Sequence, residues 1–286
     1  MQRHRTSRVI GCWILLSVGI LIPLSCKKTS TTSPQTEPEI TEGGPPDRNQ
    51  WRILFLDDFS GTALDRSKWD PYYTWGKNST VERHHNYDAW ALDENVTVEN
   101  GILRLKCEPN RTNAHAYTYS TGVVTATRLV CKRGTYYEAK MKMPHGSTDA
   151  EYTNGLWPAF WITGRDAWPP EIDIHEFFGC NTHYHATIHS SDDSERGSNI
   201  QVPAPDATAA FNIYAVHWRE DDKVDVYYNN RLQGTLNEPD PYREMVLIIN
   251  FGIHGPKDEQ AWLGNASRNA FPQFYEVDWV RVWAKN

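Results

Sequence analysis

Positive charge is in short supply in this 286-residue chain: 29 Lys and Arg stand against 36 Asp and Glu, a formal net charge of −7. Without an electropositive field to neutralise a phosphate backbone, nucleic acid is not expected as a partner. Cysteine is also scarce, at five residues, and there is no Cys-x-x-Cys and no paired Cys and His spacing. That argues against a structural zinc or a redox role. No heptad pattern and no internal repeat runs through the chain, which removes the fibrous and solenoid classes. No apolar run reaches the ~20 residues that span a bilayer comfortably. Aromatic rings, by contrast, are abundant, with 12 Trp, 14 Tyr and 9 Phe. An aromatic excess on an acidic chain needs a use beyond core packing.

The N-terminus reads as a targeting segment. Arg3, Arg5 and Arg8 precede a short apolar stretch, Val9 to Leu24, which suits a signal peptide over residues 1–25. The stretch ends in Pro23-Leu24-Ser25-Cys26, similar to a bacterial lipoprotein cleavage box in which Cys26 becomes the lipidated first residue, although Pro23 stands where that pattern usually has Leu. The expectation is an exported protein held at the bacterial outer membrane or in the periplasm by a lipid anchor, its sole link to a membrane. Removing residues 1–25 takes away three Arg and no acid, carrying the formal charge from −7 to −10. Residues 26–50 follow as a tether, rich in Thr, Pro, Glu and Gly, with Ile40 the one large apolar side chain. The remaining cysteines, Cys107, Cys131 and Cys180, are odd in number, so one bridge plus a free thiol and three buried thiols are both open.

From Trp51 onward the hydrophobic period is two. Tyr137, Ala139, Met141 and Met143 alternate with Tyr136, Glu138, Lys140 and Lys142, a strand with one apolar and one wet face. Asn100-Gly101 and Asn229-Asn230 each separate two alternating runs, the signature of tight hairpins. Val246-Leu-Ile-Ile-Asn-Phe and Val277-Asp-Trp-Val-Arg-Val-Trp are apolar on both faces, so both belong in the middle of packed layers. No long segment carries a helical stripe. Many short strands between Gly, Pro and Asn turns predict an all-β antiparallel sandwich, and residues 51–286 suit one large domain, expected to act as a monomer.

The richest segment is Trp168-Pro-Pro-Glu-Ile-Asp-Ile-His-Glu-Phe-Phe-Gly. In a strand, Glu171 and Asp173 share one face while Ile172 and Ile174 enter the core. Strict alternation would then send Glu176 into the core, a costly place for an unpaired carboxylate. A β-bulge at Ile174-His175 inserts one residue and returns Glu176 to the wet face, so the sequence predicts a bulge there. Three carboxyls on one face repel, raising at least one pKa and separating an ionised group from a protonated one, as acid and nucleophile pairs require. Upstream, Trp157 and Trp161 in Gly155-Leu-Trp-Pro-Ala-Phe-Trp share a strand face. Exposed indoles beside carboxylates suit sugar rings, whose C–H faces stack on aromatics.

Glu171-Ile-Asp-Ile-His-Glu176 resembles the Glu-x-Asp-x-x-Glu signature of glycoside hydrolase family 16 in its β-bulge form, as in bacterial laminarinases, agarases and carrageenases. The resemblance extends through Asn95-Val-Thr-Val-Glu-Asn-Gly, Tyr136 to Pro144, the Trp157 run, Phe211 to Trp218 and Val277 to Val282. It implies a β-jelly-roll of two curved antiparallel sheets with an open concave cleft, cutting β-linked polysaccharides internally with retention of configuration. Carried over by position, Glu171 is the nucleophile, Glu176 the general acid/base and Asp173 the residue between them that tunes the nucleophile. His189 is placed near the sugar, and Trp90 and Trp262, in loop-like stretches, are further candidates for stacking.

His183, His185 and His189 fall at even offsets, a pattern that invites a metal, but no His-Glu-x-x-His is present and a carboxylate mechanism needs no cofactor. The resemblance also implies a structural calcium away from the cleft, for which Asp278 and the Gly101 carbonyl are the candidates; Asp278 could equally be a salt-bridge partner. The Trp-Pro-Ala-Phe-Trp run leans toward a β-1,3 or β-1,3-1,4 glucan as substrate. Pro170 and Phe251-Gly-Ile-His-Gly depart from the laminarinase pattern, which keeps a β-linked galactan (agar, porphyran, carrageenan or a host glycan) as the alternative. A sulfated polymer would want Arg128, Arg165 or Arg196 near the cleft. A non-catalytic glycan-binding lipoprotein is the other class, and it should have lost one of the three acids.

Overall fold

The structure, a computed structural model, describes residues 40–76, 88–111, 117–147, 154–191, 197–240, 243–254 and 263–286. Residues 1–39, which include the expected signal segment and Cys26, lie outside the described residues, as do Arg196 and Trp262. In chain order the strands are β1 (Trp51–Asp57), β2 (Ala89–Ala91), β3 (Val96–Glu99), β4 (Ile102–Pro109), β5 (Tyr119–Thr121) and β6 (Val123–Cys131). They continue with β7 (Thr135–Lys142), β8 (Leu156–Gly164), β9 (Glu171–Glu176), β10 (His183–His189) and β11 (Ser198–Pro203). The last are β12 (Asn212–Trp218), β13 (Lys223–Tyr228), β14 (Arg231–Asn237), β15 (Met245–Ile253) and β16 (Gln273–Lys285).

Two sheets form from these. One runs β14-β13-β12-β7-β16-β4-β5-β2, with β1 also on β16 and β3 on β4; the other runs β11-β10-β9-β8-β15-β6. The pairings are antiparallel apart from β2 with β5. The hairpins fall where the sequence puts them: Asn100 and Gly101 take φ of 54° and 77°, and Asn229 and Asn230 take 47° and 61°. Left-handed backbone at both central positions matches the twist of the strands leaving the turn. The strands that are apolar on both faces are central: β15 lies between β8 and β6, and β16 has β7 on one side and β4 then β1 on the other. Inward side chains from both sheets, among them Tyr137, Ala139, Met141, Ile162, Ile172, Ile174, Leu247 and Val280, make one core. At roughly 25 cal/mol per Å² of apolar surface removed from water, this layer is the main stabilising contribution. The three described cysteines are buried and form no disulfide with one another.

The wet face expected for β7 is wet only toward Lys140 and Lys142. Tyr136 and Glu138 are fully buried, because the segment before β1 and β1 itself lie over them. Glu138 accepts hydrogen bonds from the Trp283 indole (2.8 Å) and the Gly44 amide (2.8 Å), with Arg281 at 3.9 Å. Without such donors a buried carboxylate costs several kcal/mol. Glu42 pairs with Lys140 at 2.7 Å, and its carbonyl accepts from Arg281. Gly43 and Gly44 permit the close approach: both have positive φ, and a Cβ on Gly43 would sit 2.8 Å from the Glu138 carboxylate. Residues 41–50, read from the sequence as tether, therefore belong to the compact unit that runs from Thr41 to Asn286.

Candidate active site

The site is built on β9 and its neighbours β8 and β10. Against β8, Trp161 pairs with Asp173 and the next residue back, Phe160, pairs with His175; against β10, Thr187 pairs with Asp173 and His185 with Glu176. One extra residue is thus taken up at Ile174-His175, the bulge the alternation argument requires. Ile174 and His175 are both fully buried on the core side, while Glu171, Asp173 and Glu176 come together on the outer face of the six-stranded sheet.

The carboxyls are close enough to control one another. His189, across the ladder from Glu171, puts Nε2 3.6 Å from Glu171 Oε1 and 3.4 Å from Asp173 Oδ2. The Trp157 indole donates to Glu176 Oε1 at 2.8 Å, and Asp173 and Glu176 hydrogen-bond to each other. Glu171 is the most open of the three, with 15% of its side chain exposed against 3% for Asp173. Burial raises the Glu171 carboxyl to about 7; His189 and indole donation from Trp168 pull it down, and the Glu176 charge adds to the rise. Burial, followed by the neighbouring carboxylates, pushes Asp173 and Glu176 well above the usual range. Around neutral pH the cluster therefore holds protons as well as charge. One ionised and one protonated glutamate on the same face is the arrangement needed for attack and proton donation.

Aromatic rings flank the carboxyls. Trp161 donates to Asn250 Oδ1 at 2.6 Å, and its ring faces Trp75 at 6.5 Å, which stacks on Tyr73 at 4.7 Å. Trp168, which hydrogen-bonds to Glu171, lies 5.8 Å from His189. Trp75 and Trp168 are 47% and 57% exposed, an expensive display unless something apolar covers the rings. Trp157 packs against Phe178, which in turn meets His185. Trp157, Trp161 and His189 all border the carboxyls, but Trp157 is buried rather than exposed as the sequence suggests, its indole N–H committed to Glu176. Trp75, Trp168, Phe178 and Asn250 were not anticipated. Trp168 had a signal, three residues before Glu171, whereas Trp75 reaches the site only through the fold. Trp90 sits in β2 with its ring 5.9 Å from Tyr117.

The expected histidine trio divides: His183 and His185 face each other at 5.6 Å, and His189 joins the carboxyls. Glu171, Asp173 and His189 could each offer one ligand atom within 4.8 Å of the others, but all three already serve one another's charge balance. Asp278 is 3.0 Å from Lys140, which also holds Glu42. This pairing matches the salt-bridge alternative for Asp278, and a calcium ion there would have to displace Lys140.

With the geometry in place, the relatives can be compared. A family model described as the GH16 domain of β-porphyranases A–D matches residues 54–285. The chain belongs to glycoside hydrolase family 16. It is 26% identical over 255 residues to an endo-1,3-1,4-β-glycanase of Rhizobium meliloti, covering 81% of this chain and 53% of that protein. It is 23% identical over 262 residues to β-porphyranase E of Zobellia galactanivorans, covering 80% and 85% respectively. Among solved structures, the endo-β-1,3-glucanase of Pyrococcus furiosus superposes with a TM-score of 0.69 at 23% identity, covering 82% of this chain and 95% of that one, a match of fold. The chain spans about half the length of the first curated relatives it matches.

Proposed function

We propose that this family 16 member is an endo-acting, retaining β-glycosidase whose machinery is Glu171, Asp173 and Glu176. The observation that carries the proposal is the Ile174-His175 bulge, which gathers the three acids on an open face flanked by Trp157, Trp161 and Trp168. Glu171 attacks the anomeric carbon as Glu176 gives its proton to the departing glycosidic oxygen. Glu176, now ionised, takes a proton from the water that opens the glycosyl ester, and the sugar leaves with its original configuration. Asp173, between the glutamates, keeps its proton in the ground state and relays charge change from one to the other. His189 stabilises the ionised form of Glu171.

For the substrate, the porphyranase description of the family model and the Pro170 and Phe251 departures support a β-linked galactan. A second reading, a β-1,3 or β-1,3-1,4 glucan, is supported by the Rhizobium relative and the Trp157–Trp161 run. Of the cations singled out for a sulfated chain, Arg128 is 57% exposed and 3.8 Å from Asp70, and Arg165 donates to the Thr127 carbonyl. Incubating the protein with porphyran, agarose, κ-carrageenan, laminarin and barley mixed-linkage glucan, with product sizing, tests both. Oligosaccharides of several lengths from one polymer support an endo-hydrolase and name the substrate. Binding without cleavage of any would leave a glycan-binding protein. The same proposal keeps residues 1–25 as an export signal and Cys26 as the lipid attachment; loss of palmitate labelling in Cys26→Ser checks it.

The raised carboxyls give a signed pH dependence. Glu171 must be ionised and Glu176 protonated, so kcat/KM rises with pH through about 7 as Glu171 loses its proton, then falls at higher pH as Glu176 does. Initial rates on the cleaved polymer from pH 4 to 10 measure it. An acid limb near the ordinary glutamate value would remove the burial argument.

A further inference from the structure

We infer that His175 is a positioning residue: bonded to Tyr275 of the opposite sheet, it holds the β9 bulge in the register that keeps Glu176 on the open face. The inference rests on Glu176 being the acid/base proposed above. His175 has no exposed surface, and its ring packs 4.4 Å from Tyr214 and against Phe177, Tyr184 and Phe160. Its Nε2 lies 2.8 Å from the Tyr275 hydroxyl, and that hydroxyl donates to Met141 Sδ at 2.9 Å. With the phenol proton spent on sulfur, the phenol oxygen is free to accept from an Nε2–H, leaving Nδ1 as a bare, unpaired lone pair. The other tautomer would bury an orphaned N–H, the costlier choice. Burial holds the imidazole pKa down at about 3, so the ring is a neutral donor at any working pH.

The register argument follows from the ladder. A bulge is a local choice between two pairings, and an aliphatic residue at 175 would hold the core side by apolar burial alone, which is non-directional and fixes no point of β9 against the opposite sheet. If the bulge slipped out, residue 175 would turn outward and Glu176 inward. His175 cannot turn outward without giving up the bond from β9 to β16, which belong to different sheets. The Tyr275 oxygen would then be buried without its donor. The polar bond thus penalises the register in which the acid is lost. A misplacement of about 1 Å in a catalytic group costs on the order of 10²-fold.

The test uses Tyr275→Phe, which keeps the ring and removes the hydroxyl, beside His175→Leu and His175→Gln, the last supplying an N–H at similar reach. Rates are read on the cleaved polysaccharide and, for the first-step burst alone, on a dinitrophenyl glycoside of its sugar, whose leaving group needs no proton. We expect Tyr275→Phe and His175→Leu each to lower kcat on the polysaccharide by about 10- to 100-fold. KM should stay within about two-fold, the loss on the dinitrophenyl glycoside should be much smaller, and His175→Gln should recover most of the rate. The double variant should be no worse than the poorer single one. A Tyr275→Phe enzyme with wild-type kcat, or equal losses on both substrates, overturns the inference. If the wild-type protein cleaves nothing, the functional reading fails instead, and that outcome is distinct.

Discussion

Glu171→Gln is expected to abolish turnover, lowering kcat on the cleaved polysaccharide by at least about 10⁴-fold, in the range seen when a covalent nucleophile is removed. Gln is nearly isosteric, and its amide oxygen can still accept from Trp168, so sugar binding measured by affinity electrophoresis should persist. The same substitution carries a second, opposite signature. Burial raises Glu171 from 4.5 to about 7, so the folded state prefers the protonated form. Its contribution to stability is fully present below about 4.5 and is lost as pH rises through about 7. A neutral amide does not lose it. Glu171→Gln should therefore be more stable than the parent above pH 7, by at most about 3 kcal/mol, and no more stable at pH 4. Thermal melts at both pH values check this. Retained turnover would remove the nucleophile assignment, and an unchanged melt would remove the burial argument.

Glu176→Ala should show the other half of the chemistry. General acid assistance is worth about 10²- to 10⁴-fold, and that loss should fall on the polysaccharide, whose leaving group is a poor one. On a dinitrophenyl glycoside the first step proceeds without a proton, so the covalent intermediate accumulates and a burst precedes a slow steady state. Azide, needing no base, should enter the space Glu176 vacates and give a β-glycosyl azide. In Glu171→Ala the azide would instead attack from the opposite face and give the α product. Exchange of those two products between the variants would mean the roles of Glu171 and Glu176 are reversed. The Trp157 indole would lose its acceptor in Glu176→Ala, so part of any stability change belongs to that bond.

Why was the bulge legible in the sequence while Trp75 was not? The bulge follows from two local rules, alternation along a strand and the cost of a buried carboxylate, both of which act within six residues. The hairpins at Asn100-Gly101 and Asn229-Asn230 were legible for the same reason, since their backbone demands are local. Trp75 reaches Trp161 only because the segment from Asp70 lies over β6, where Asp70 exchanges backbone hydrogen bonds with Thr125. No spacing in the sequence encodes that. The covered face of β7 failed on the same ground: Glu138 reads as a solvated strand residue, and its burial depends on Glu42 to Gly44, some hundred positions away. For Asp278 the sequence leaves a calcium ligand and a salt-bridge partner both open, and Lys140 at 3.0 Å becomes visible only with the fold. His175 was placed in the bulge by position alone, while its bond to Tyr275 required the opposite sheet to be seen.

The central claim, double displacement by Glu171 and Glu176 on one face of β9, is tested most directly by the stereochemistry of the first product. Proton NMR during the opening minutes of hydrolysis of the cleaved polysaccharide follows the new reducing end before mutarotation. Retention predicts that the β-anomer signal appears first and the α signal grows only as the sugar equilibrates. Initial release of the α anomer would contradict the account, since it would require a single displacement by water and leave Glu171 without the nucleophilic role assigned to it.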